Sequence, residues 1–94
     1  MTKELKEMDP NTQEVFQMTY EAATSCRAII EQATGKQIPK NIGEFNKFKD
    51  TIPFEGLTPD QGEERLTQLC IIGIYLRSVK VYLGKVQIPS KLLW

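Results

Sequence analysis

Apolar positions recur with helical period along two long stretches of this chain. Val15, Thr19, Ala22, Cys26, Ile29 and Ala33 are spaced 4-3-4-3-4, and Phe16, Ala23 and Ile30 form a second stripe beside them. That is the spacing of a helix, not the alternation of a strand. Asp9 can accept from the free first-turn N–H groups, Pro10 suits the first helical position, and Gly35 supplies a left-handed stop. The pattern predicts a first helix over 10–34. Its apolar face is rich in alanine, so a neighbouring helix can approach closely.

After a connector with Pro39, Asn41 caps a short helix predicted over 42–50. Ile42, Phe45 and Phe48 form its apolar stripe, with Glu44, Lys47 and Lys49 on the other side. Pro53 and Gly56 end this region, and Phe54 and Leu57 are expected to plug the loop into the core. Thr58-Pro59-Asp60 repeats the start logic of the first helix, and Asp60, Glu63 and Glu64 place negative charge where the helix dipole favours it. With Lys80 near the last turn and Gly84 as a stop, a third helix is predicted over 59–83. Branched residues from Ile71 to Ile88 raise the competing strand reading, since Val79, Val81 and Leu83 alternate with Lys80 and Tyr82. The paired start and stop signals decide for helix.

The third helix is apolar almost all round. Leu66, Leu69, Gly73, Leu76 and Leu83 make one stripe, flanked by Cys70, Ile74 and Val81, while Ile71, Ile72, Tyr75, Val79 and Tyr82 cover much of the rest. Such a helix is normally buried, and one long and one short partner are too few to surround it. The second face needs a cover: the tail, a second copy, or a foreign partner. Gly73 costs roughly 1 kcal/mol against alanine in mid-helix; either a backbone or aromatic ring packs closely there, or the glycine is simply tolerated. The tail ends in Leu92, Leu93 and Trp94, an apolar cluster that suits docking on another subunit.

The fold class is therefore all-α: two long antiparallel helices, each of about 25 residues and about 37 Å, plus the short one, completed by oligomerisation. Matching the ends of the long helices places Cys26 and Cys70 within a few layers of one core. The 94 residues make one domain, with 1–8 a polar N-terminal tail and 85–94 an apolar C-terminal one.

Charge adds polarity. All twelve acidic residues lie at or before Glu64, with seven basic ones; Arg65 to Trp94 holds five basic residues and no acid. The net charge of zero hides a −5 part and a +5 part, a pattern that suits a contact surface. The zero total and a pI near 6.3 disfavour nucleic acid as a partner. No apolar run reaches the length of a membrane span and no signal core is visible, so a cytoplasmic location, possibly host cytoplasm, is expected.

Candidate chemistry is sparse. The chain has no histidine, and its two cysteines without histidine make no zinc site. That removes Ser-His-Asp and Cys-His catalysis. Its glycines are isolated, so no phosphate loop exists. Carboxylates at helix starts read as capping charges. No catalytic residue, metal ligand or cofactor is assigned. What remains is the mixture of cations and aromatics late in the chain. Tyr75, Arg77, Val79, Lys80, Tyr82 and Trp94 are the candidate ligand- or partner-binding residues, with Tyr20, Arg27, Lys36 and Lys40 as further cation and tyrosine candidates. An exposed apolar groove is expected around Ile72, Tyr75, Val79 and Trp94. The expected function is a small, self-associating, non-enzymatic binding protein. Its size and style suit a phage or viral accessory factor acting as an inhibitor or adaptor. The alternative is an oligomer that sequesters a small anionic ligand, such as a nucleotide, at a subunit interface.

Overall fold

A computed structural model describes residues 5–94 of the chain; the first half of the polar N-terminal segment lies outside the described residues. The first helix, α1, spans Pro10–Thr34. The Asp9 carboxylate caps it by accepting from Asn11 N at 3.1 Å and Thr12 N at 3.4 Å. Gly35 ends it at φ 72°, with its N–H donating to the Glu31 carbonyl, a conformation that suits glycine because it carries no Cβ. The second helix, α2, spans Ile42–Phe48 and continues into a 3-10 turn, Lys49–Thr51. The predicted helix to residue 50 thus tightens in its last turn, where the Thr51 hydroxyl donates to the Phe48 carbonyl at 2.7 Å.

The third helix, α3, spans Pro59–Tyr82. Thr58 and Gln61 form a reciprocal capping box, with bonds of 3.0 and 3.2 Å. The strand alternative fails because the helical start is fully satisfied and the pattern is carried to its end. Among the described residues, strand character appears outside the helices, in an unexpected two-residue parallel pair. It joins β1 (Lys6–Glu7) to β2 (Val86–Gln87), with Lys6 opposite Val86 and Glu7 opposite Gln87. The following Met8 is buried, so residues 6–8 are built into the fold.

Packing of α1 on α3 forms the core, and the sequence reading of which faces meet needs correction. Phe16, Ala23, Cys26 and Ile30 are buried, whereas Val15, Ala22, Ile29 and Ala33 are exposed. The second stripe of α1, joined by Cys26 of the first, faces inward, where it meets Leu69, Ile72, Tyr75 and Leu76, the buried large residues of α3. Leu66, Ile74, Val81 and Leu83 are exposed, so α3 is covered on one side only. Cys70 is also exposed while Cys26 is buried, and the two do not share a core. Ile38 and Ile52 plug the connecting loops. Phe54, expected in that role, is 36% exposed.

The tail is the largest departure. It packs on its own chain, where the sequence reading favours docking on another subunit. Leu92, in the 3-10 turn Ser90–Leu92, is buried, and its carbonyl accepts from the Tyr75 hydroxyl at 2.6 Å. Trp94 Nε1 donates to Thr24 Oγ1 at 3.1 Å. The indole lies 4.7 Å from the Tyr75 ring centroid, and the Arg27 guanidinium sits 4.9 Å over it. The apolar end that is costly in water is thus packed onto the molecule, with Leu92 buried and Leu93 and Trp94 half-buried.

Candidate functional site

A groove between α2 and α3 encloses about 600 Å³. That is within the usual range for binding sites, roughly 300–1,000 Å³. Phe45, Ile52, Leu69 and Gly73 are buried at its floor. Phe45 reaches the floor because the Asn41 side chain caps α2, accepting from Glu44 N at 2.8 Å. Its ring lies over Gly73; a Cβ there would be 3.6 Å from Phe45 Cε1. The mid-helix glycine therefore gives the ring a flat seat.

The walls are apolar and open. Leu66 is 55% exposed and Ile74 52%, and with Cys70 and Arg77 they share one face of α3 by their 4-4-3 spacing. The opposite wall is the loop carrying Phe54. It is pinned by Arg65, whose guanidinium donates to the Pro53 carbonyl at 2.9 Å, and by Lys36, whose Nζ donates to the Thr51 carbonyl at 3.1 Å. Lys49, Asp50 and Arg77 line the groove with polar groups. Arg77 is exposed and makes no ion pair among the described residues.

The six residues singled out from the sequence do not meet in one place. Arg77 lines this groove. Val79 and Lys80 line a separate cleft of about 390 Å³ with Lys40, Ile42, Leu76 and Leu83. Tyr75 is 1% exposed and belongs to an aromatic core with Phe16, Tyr20 and Trp94, at centroid distances of 5.7, 5.7 and 4.7 Å. Burial pushes its phenol up to about 12, an increase only partly offset by the Trp94 backbone and the Arg27 charge. Tyr82 is half-buried against Phe16. The groove expected around Ile72, Tyr75, Val79 and Trp94 does not exist, since Ile72 and Tyr75 are fully enclosed. Of the further candidates, Arg27 stacks on Trp94 and its Nε donates to Glu31 at 3.3 Å. The same Glu31 oxygen accepts from Ile38 N at 2.9 Å.

Phe45, Phe54, Leu66 and Cys70 were not singled out as site residues. The face shared by Leu66, Cys70, Ile74 and Arg77 is the available signal, and the apolar circumference of α3, which suggests burial all round, hides it. Among the described residues, no three His, Cys, Asp or Glu side chains are grouped to hold a metal. No described helix is long and apolar enough to cross a membrane. The chain matches no family model, no curated protein and no solved structure.

Proposed function

We propose that this chain is a small non-enzymatic binding protein, built on an antiparallel helical pair, that captures an apolar segment of a protein partner in the α2–α3 groove. The antiparallel arrangement is supported by Phe16 lying 6.0 Å from Tyr82 while Tyr20, further along α1, lies 5.7 Å from Tyr75. The observation that carries the binding role is the pair of large side chains, Leu66 and Phe54, held open on opposite walls above a buried apolar floor. Open apolar walls of this kind mark interaction sites.

Selection from a displayed random-peptide library tests this. The expected result is apolar peptides that shift the protein's amide resonances within 45–54 and 66–73, with binding lost in Leu66→Glu. Peptides that map elsewhere, or that bind Leu66→Glu unchanged, would reject it.

A second reading, capture of a small anion, is favoured by one observation. The cleft at Val79 is lined by Lys40 and Lys80 with no carboxylate, over Ile42 and Leu76. A nucleotide would place its base on the apolar part and its phosphate between the lysines. Calorimetric titration with nucleotides is expected to give binding that Lys80→Glu removes; equal heats for the variant would reject this second role.

A further inference from the structure

The α1–α3 pair has one covered side and one bare side. Trp94 lies against Thr24 and Arg27, and Phe45 of α2 lies against Gly73. On the far side of α1, Val15, Met18, Ala22, Ser25 and Ile29 are all exposed. Their 3-4-3-4 spacing is that of a helix–helix seam. On α3, exposed Ile74 and Val81 stand seven apart and so share a face. Both edges open on the same side, because Val15 and Thr19 line one shallow groove with Ser78 and Tyr82.

We propose that this bare side binds a second copy of the chain, in a two-fold dimer where α1 of each protomer lies on α3 of its partner. Four helices then make one bundle. The inference rests on the antiparallel pairing above, but not on the groove's role in partner capture: the dimer takes up Ile74 and Arg77 at the rim of that groove and leaves Phe45, Phe54 and Leu66 free.

Charge selects both the occupant and the pairing. Glu14 and Glu21 are exposed on the outer flank of the α1 seam, and Arg77 is exposed on the outer flank of the α3 face. The Tyr20–Tyr75 and Phe16–Tyr82 contacts set Arg77 level with the turn of α1 between those two glutamates. A two-fold axis along the helices preserves that level. It also swings the outer flank of α3 over the outer flank of α1 in the other protomer. Arg77 then meets both Glu14 and Glu21 of the partner subunit. An axis across the helices would lay α1 on α1 and bring two copies of Glu21 together, which is repulsive.

Size agrees with charge. The same register sets bulky Ile74 opposite Ala22, and Ile29 opposite Thr67, so large side chains meet small ones. The bare side is about 36 Å long and about 20 Å wide for two neighbouring helices. That is roughly 700 Å² per chain, close to the ~800 Å² of a standard interface.

Sedimentation velocity on the full chain from about 1 to 100 µM, a range that brackets micromolar association, tests the proposal. The expected result is a dimer. Met18→Lys and Val81→Lys should each weaken it by about 100-fold or more with unchanged far-ultraviolet circular dichroism. Arg77→Glu should weaken it about tenfold, and adding Glu14→Lys with Glu21→Lys should restore it. Leu66→Glu, in the α2–α3 groove, should leave the dimer intact. A monomer throughout, an assembly larger than a dimer, a dimer indifferent to Met18→Lys, or a dimer split by Leu66→Glu would each overturn the proposal.

Discussion

Replacing Trp94 with alanine tests whether the tail is part of the fold. A fully buried tryptophan costs about 3–5 kcal/mol when truncated to alanine. Trp94 is half-buried, which reduces that to about 2 kcal/mol, including its stacking on Tyr75. Its indole N–H bond to Thr24, at 3.1 Å, adds about 1 kcal/mol. The expected loss is about 3 kcal/mol, a large share of the roughly 5–14 kcal/mol available to a chain of this size. At about 4–8 °C per kcal/mol, the midpoint of thermal unfolding should fall by roughly 10–25 °C at fixed protein concentration. Thr24→Ala, which removes only the hydrogen bond, should account for about 1 kcal/mol of this. Because Trp94 is the sole tryptophan, its fluorescence reports docking directly, and urea titration followed by fluorescence and by circular dichroism should give one transition. A Trp94→Ala chain within about 0.5 kcal/mol of the parent, the range of an ordinary surface change, would refute the packing of the tail on α1 and α3. So would a Trp94 emission shift at lower urea than the loss of helix.

The Tyr75 phenol is raised from 10 to about 12 in the fold. The neutral form is the one the fold favours, so its contribution is intact below pH 10 and is lost as pH rises from 10 towards 12. Denaturation midpoints should decline across that window, and Tyr75→Phe should lessen the slope while costing about 1 kcal/mol at neutral pH for the lost bond to Leu92; an unchanged slope would contradict the assignment. Gly73→Ala should be neutral or stabilise by up to about 1 kcal/mol in urea titration, because the added Cβ meets Phe45 at 3.6 Å, an ordinary contact distance; a loss of more than about 1 kcal/mol would mean the ring sits closer. Mass spectrometry after brief alkylation of the native protein should show one adduct, on exposed Cys70. Cys26 is buried and its thiol is raised by that burial, so it should react only on unfolding; equal labelling of both would refute the placement.

What the sequence determined by itself was local. Asp9-Pro10, Gly35, Asn41 and Thr58-Pro59 mark where helices begin and end through short-range hydrogen bonds and backbone preferences, and the structure places α1, α2 and α3 within a residue or two of those marks. The exclusion of histidine-dependent chemistry is compositional and equally independent of the fold. What only the tertiary structure decided was which apolar face each helix buries. Val15 to Ala33 and Phe16 to Ile30 are both apolar stripes of one helix, and helical period does not rank them; the partner's surface does. The same holds for α3, where an apolar circumference suggested complete burial, but the chain has enough mass to cover one side only. The tail shows the limit most clearly. Leu92 and Trp94 called for cover, yet their partners, Tyr75, Thr24 and Arg27, lie 17 to 70 residues away. Such contacts depend on how α1 meets α3, a choice set by packing and not by sequence-local propensity. The α2–α3 groove arises for the same reason: Leu66 and Ile74 become its walls only once Leu69 and Ile72 have turned inward.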